Sequence, residues 1–133
     1  MKHKSKAYYK ARCDRLFSLW IRQRDAVGGV CRCVTCGTPY PWRSIHNGHF
    51  MSRGREATRY HEKNTGCQCV SCNTFNQGRQ FEFGLYIDKR YGPGTAEKLS
   101  ILSKVECKRG WFDYTQIGNI FLEKLKTNGF EIR

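Results

Sequence analysis

The segments Cys31-Arg32-Cys33-Val34-Thr35-Cys36 and Cys67-Gln68-Cys69-Val70-Ser71-Cys72 repeat one spacing, C-x-C-x-x-C. A C-x-x-C turn brings two thiolates to the same side of a tight loop, and two such turns complete a tetrahedral shell of four sulfurs. C-x-C converges poorly, and Gly37 supplies the small residue that a turn after Cys36 favours. Cys33, Cys36, Cys69 and Cys72 are therefore assigned to one structural Zn2+. Cys31 and Cys67 are read as buried apolar thiols, with a six-thiolate or iron–sulfur site as the alternative. Cys13 and Cys107 fall on helical patterns and read as core. Close pairs in a chain of cytosolic character favour metal over disulfides.

A staple of this kind suits a chain whose middle is poor in core. From Val30 to about Gln77 the sequence is rich in Gly, Asn, Ser and Cys, with short β-prone pieces. Helical patterns flank it. Tyr9, Cys13, Leu16, Phe17, Trp20 and Ile21 predict a helix over about Lys6 to Asp25, ended by Gly28-Gly29, with Lys10, Arg12, Arg15, Arg22 and Arg24 on its opposite face. Phe83, Ile87 and Tyr91 share a face before Gly92-Pro93-Gly94. Ala96 to Val105 is another helical stretch. Tyr114, Ile117, Phe121 and Leu125 form a last stripe, closed by Asn128-Gly129, which could also serve a homodimer contact. The expected fold class is α+β. A single domain spans residues 1–133, divided into a basic helical segment (1–29), a zinc-stapled core (30–78) and a helical part (79–133).

Twenty-four Lys and Arg stand against 11 Asp and Glu, a net charge of +13 in 133 residues. That excess points to a polyanion, most simply nucleic acid. A membrane is the weaker reading, since no apolar stretch approaches spanning length. The start, Met1-Lys2-His3-Lys4-Ser5-Lys6, carries charge without an apolar run and does not read as a secretory signal.

Between and after the cysteine pairs stand His46-Asn47-Gly48-His49, Asn64 and Asn73. Cutting a phosphodiester requires an activated water and a cation to balance charge on the scissile phosphate. A neutral histidine can take the proton from water, and His49 is the candidate base. Asn73 directly follows the last cysteine, ahead of a helix expected to begin near Phe75 to Gly78, so its side chain is well placed as a ligand for a catalytic ion. His46 lies close enough in sequence to share that site. Singly these residues read as a solvated histidine and turn asparagines; their joint spacing favours a nuclease. Arg43, Arg53, Arg55 and Arg59 surround His49, and Arg79 opens the following helix. They are the candidate DNA contacts, because guanidinium forks grip phosphate oxygens in pairs. Nothing suggests a base-reading element, so recognition by shape and backbone is expected.

The run Cys33 to Asn73 resembles a zinc-containing HNH, or ββα-metal, nuclease. More closely, Asn-Gly-His-Phe, Ser-Arg-Gly, Ala-Thr-Arg-Tyr-His-Glu-Lys-Asn and Gln-Cys-Val-Ser-Cys-Asn are similar to the NinG/Rap recombination endonucleases of lambdoid phages. The similarity runs from about Leu16 through Tyr91 and more weakly to Leu125. It implies cleavage of branched DNA, such as Holliday junctions and D-loops, with a divalent ion (Mg2+ or Mn2+), by a phage-encoded protein in the cytoplasm of the bacterial host. It also implies His49 as general base, Asn73 as metal ligand, and Asn64 as the middle asparagine bracing the loop that holds the base. The cysteine-rich extension that precedes this region in some relatives is replaced here by the short basic start. Where relatives often carry Asp-Ala-Gly-His, this chain has His46-Asn47-Gly48-His49. An imidazole ligand at position 46 would favour Mn2+, Ni2+ or Zn2+ over Mg2+. The rival readings are a site-specific homing or restriction enzyme and a non-catalytic zinc module that binds nucleic acid.

Overall fold

The computed structural model describes residues 4–130; the basic start at Met1 to His3 lies outside the described residues. The first helix, α1 (Lys6–Asp25), is started by Ser5, whose hydroxyl accepts the Tyr8 N–H at 3.1 Å. It buries Cys13, Leu16, Phe17 and Ile21 against α5 (Trp111–Thr127), which contributes Tyr114, Phe121 and Leu125. Gly118 allows the close approach: a Cβ there would meet Arg12 Nη1 at 2.8 Å and the α1 backbone at 3.6 Å. The α5 stripe is therefore packed inside the chain as core. The basic face of α1 is likewise largely engaged: Lys10 pairs with Glu56 at 3.0 Å, Arg12 donates to Asn119 at 2.8 Å, and Arg24 grips Asp25 at 2.8 Å.

Two antiparallel hairpin sheets make up the β part of this α+β chain. In the first, β1 (Val30–Arg32) pairs with β2 (Pro39–Pro41) in the register Cys31↔Tyr40. Gly28 and Gly29, both at positive φ, turn the chain between Val27 and Val30; α1 has already ended at Asp25, three residues before the glycines expected to stop it. In the second sheet, β3 (His46–His49) pairs with β4 (Thr65–Gln68), with His46↔Gln68 and His49↔Thr65. Between them lie α2 (Glu56–Arg59) and a 3-10 turn, Glu62–Asn64.

The helix expected just after Asn73 is interrupted. A single π-helical turn, Ser71–Phe75, gives way to left-handed Gln77, Gly78 and Arg79, and only then does α3 (Gln80–Tyr91) begin. Phe83 and Ile87 of α3 pack with Phe50 and with Leu99 of α4 (Thr95–Ser103). Cys13 is in the core as expected. Cys107 is not: it lies half-buried in the irregular segment between α4 and α5. Among the described residues no helix is long and apolar enough to cross a membrane.

Candidate functional site

The first cysteine turn sits at the tip of the β1–β2 hairpin. The Gly37 N–H donates to the Cys33 carbonyl at 2.8 Å, and Gly37 takes the positive φ of 77° that closes the turn. The second turn leaves the end of β4, where the Cys72 N–H points at the Cys69 sulfur (3.4 Å). Together they place the sulfurs of Cys33, Cys36, Cys69 and Cys72 within 4.8 Å of one another, with Cys36 and Cys69 at 3.9 Å. A tetrahedral site with metal–sulfur bonds of about 2.3 Å puts its sulfurs about 3.8 Å apart, so the four can hold a structural metal such as zinc. The acid–base chemistry agrees. Burial would raise the Cys33 thiol, but the Thr35 hydroxyl and nearby backbone N–H groups draw it down to about 6. Burial and the neighbouring sulfurs push Cys72 up to about 12. Four thiolates this close need a cation before the last can ionise. Cys31 and Cys67 meet each other in the same small core and are at most 1 % exposed; burial raises both thiols, and neither joins the four-sulfur cluster.

Beside this staple, β3, α1 and the turn after Cys72 enclose a polar cleft of about 410 Å³. His46, Asn47, His49, Arg43, Arg53 and Asn73 line it, and α1 contributes Asp14, Ser18 and Arg22. It continues into a second hollow walled by Ser52, Gln77 and Gln80. Gly48 matters between the two histidines, because a Cβ there would lie 2.2 Å from Gln68 Oε1 on the paired strand.

His49 Nε2 is 3.0 Å from the Arg59 carbonyl oxygen. A carbonyl can only accept, so Nε2 carries the hydrogen and Nδ1 keeps its lone pair. Burial, with Arg53 and Arg59 nearby, outweighs the carbonyl's effect and lowers the imidazole to about 4, so the ring is neutral at physiological pH. The carbonyl it leans on is itself fixed. The buried Arg59 fork donates to both oxygens of Asp14 (3.0 and 2.7 Å) and to the Arg53 carbonyl (2.6 Å), while the Tyr60 hydroxyl donates to Asp14 at 2.7 Å. Arg59 is 6 % exposed, so its expected place among the DNA-facing arginines is corrected: its donors are engaged within the protein.

Asn64 has no exposed surface. Its amide accepts the Met51 N–H (2.8 Å) and donates to the carbonyls of Met51 (3.0 Å) and Thr58 (3.1 Å), tying down the loop that follows His49. Asn73 and His46 come together: Asn73 Nδ2 lies 3.1 Å from His46 Nδ1. Asp14 is the one carboxylate among the described residues lining the cleft, and its oxygens are already engaged.

The remaining arginines divide. Arg53 is 64 % exposed at the mouth, 4.0 Å from Asp14, and Arg43 is exposed and stacks on Trp42 with its guanidinium 4.4 Å from the ring centroid. Arg55 is exposed on the neighbouring surface. Arg79 does not open α3 as a helical residue; it caps it in a left-handed conformation, half-buried, 3.9 Å from Glu82. Asp14 was missed from sequence, and Arg22 was read only as part of the basic face of α1, not as a residue of the cleft. A signal existed for Asp14, the one acid in α1 before Asp25, within an otherwise basic helix.

A family model described as bacteriophage lambda NinG protein matches residues 1–127. The chain belongs to the NinG family. No curated protein and no solved structure matches it. Within the NinG match fall α1 with Asp14, both cysteine turns and every cleft residue named above.

Proposed function

We propose that this NinG-family chain is a metal-dependent, structure-selective endonuclease of the HNH type. It acts on branched recombination intermediates such as Holliday junctions and D-loops. One observation carries the reading: a neutral histidine with a free Nδ1 opens onto the same polar cleft as the His46–Asn73 pair, all anchored by the four-cysteine cluster.

His49 is the general base. Its Nε2–H is held by the Arg59 carbonyl, leaving Nδ1 to take a proton from water. An imidazole lowered to about 4 is a weak base in the free protein. A phosphate entering the cleft favours the protonated ring and lifts that value toward neutrality. His46 and the Asn73 amide oxygen would hold the catalytic divalent ion, Mg2+ or Mn2+, in exchange for the hydrogen bond that now joins the two side chains. When bound, such an ion polarises the phosphoryl oxygen and offsets charge at the leaving oxygen. Asn64 keeps the loop behind the base in register. Arg43, Arg53 and Arg55 receive the DNA backbone, with Arg22 on α1 at the cleft's edge and Arg79 as a minor contact; a charge of +13 supplies the long-range attraction. A structural Zn2+ on Cys33, Cys36, Cys69 and Cys72 fixes the ends of the site. The similarity to NinG/Rap nucleases points to branched rather than linear DNA.

The test is cleavage of duplex, flap, D-loop and four-way junction with Mg2+ and with Mn2+, for the parent protein and His49→Ala. Loss of the base should slow cutting by roughly 10²–10⁴-fold with junction affinity nearly unchanged. If His49→Ala cuts branched DNA as fast as the parent, the mechanism is wrong.

A further inference from the structure

Phe81 stands in the first turn of α3 with 75 % of its surface exposed, although Phe83 beside it is fully buried. It forms one side of a groove of about 490 Å³ whose apolar surface is completed by Phe50 and Met51. Arg55 and Lys104 stand at its rim. Two residues, Ser52 and Gln80, line both this groove and the hollow that contains His49, Arg53 and Asn73, so the groove continues the cleft. The link between the cleft wall and Phe81 is held in an uncommon backbone: Gln77 and Arg79, neither of them glycine, have φ of 52° and 45°. Such conformations collect where a segment grips a ligand.

We propose that this groove receives an unstacked nucleobase from the strand whose phosphate lies in the cleft, with Phe81 as its stacking platform. The inference rests on the nuclease reading above and adds a subsite to it. An aromatic face next to a phosphate-binding surface, flanked by Arg55 and Lys104, matches how single-stranded nucleic acid is held: cations follow the backbone while a ring stacks on each base. Stacking accepts any base, which fits the recognition by shape and backbone expected from the sequence. It also gives a physical reason for preferring branch points, since a continuous duplex offers no base to the groove without unstacking it.

The experiment is a binding cycle on the full-length protein, by fluorescence anisotropy in buffer with no added divalent ion, so that no cutting intervenes. Three DNAs are compared: a flap with its natural bases, the same flap with abasic sites beside the branch point, and a linear duplex. Phe81→Ala should weaken binding to the natural flap by about ten-fold. It should change duplex binding by less than about two-fold, and parent and variant should bind the abasic flap equally. Phe81→Trp should keep parental affinity. Equal affinity of Phe81→Ala and parent for the natural flap overturns the proposal. So does an equal loss on duplex, or a loss that persists on the abasic flap. The nuclease reading fails separately, if the parent protein with Mg2+ or Mn2+ cuts none of the branched substrates, and the binding cycle still decides the groove.

Discussion

Asp14→Asn is the most informative single change outside the cysteine cluster, because it acts on the candidate base through one intermediary, Arg59. Asp14 accepts the Arg59 fork at 3.0 and 2.7 Å and the Tyr60 hydroxyl at 2.7 Å. An asparagine keeps one acceptor oxygen and turns an NH2 group toward the guanidinium, leaving a nearly buried cation without its anion. Breaking a fully buried pair in this way costs about 3–5 kcal/mol. The Asp14 side chain is 26 % exposed, so water screens part of the loss, and about 2–3 kcal/mol is expected. That corresponds to a melting temperature lower by roughly 6–10 °C for a chain of this size. Urea unfolding followed by tryptophan fluorescence should show a lower midpoint at unchanged slope. The pH dependence has a defined sign. Burial pulls the Asp14 carboxyl upward, but hydrogen bonds from Arg59 and Tyr60 win and hold it below the usual range. The clasp therefore contributes fully above the unfolded carboxyl pKa, and its contribution is lost as pH falls through the lowered folded value. Asp14→Asn should lack that acid-side loss. Because the Arg59 carbonyl holds His49, the folded variant should also cut more slowly in the cold. A loss of unfolding free energy below about 0.5 kcal/mol would refute the clasp as a structural element.

Three further outcomes follow from the geometry. The parent protein should carry one zinc per chain by elemental analysis, and Cys69→Ser should lose it and unfold the middle of the chain, since such binding is worth on the order of 10 kcal/mol; Cys31→Ser should keep its metal, and a folded, metal-free Cys69→Ser protein would remove the staple. Asn64→Ala deletes three hydrogen bonds at a site with no exposed surface and should destabilise by about 3 kcal/mol, with faster proteolysis between Phe50 and Thr58; an unchanged melt would rule out the brace. His49, lowered to about 4 in the fold, should weaken stability as pH drops from the unfolded value of about 6.5 toward 4, because the unfolded chain binds the proton first; His49→Gln should flatten that slope by up to about 3 kcal/mol, and identical pH profiles would contradict the burial argument.

What the sequence conveyed depended on how local the determining interaction was. The C-x-x-C turns and the stripes of α1 and α5 were legible because each is set by spacing within one or two turns. The exclusion of Cys31 and Cys67 from the cluster followed from the same turn geometry. The role of Arg59 was not legible, because its partner lies 45 residues away on a helix outside the motif. Four arginines of equal appearance around one histidine gave no hint of which was buried. The start of α3 was misplaced because Gln77 and Arg79 occupy a left-handed conformation for which neither residue type gives a signal. Cys107 was read as core from a pattern that the break before Gly110 interrupts.

Cys36 and Cys69 stand 33 residues apart, and between them runs nearly everything the cleft needs: His46, His49, the loop through Arg53, and Asn64. A metal on the four sulfurs would close that stretch into a ring. By loop-closure entropy, a ring of this length restricts the unfolded chain by on the order of 3–4 kcal/mol. The two ends then cannot drift apart even when the short β3–β4 ladder opens. Assembly of the site becomes conditional on metal capture. On the proposed nuclease reading, a newly made chain would remain inert until it has loaded its ion, and a chain stripped of the ion would lose cutting competence as a unit rather than by degrees.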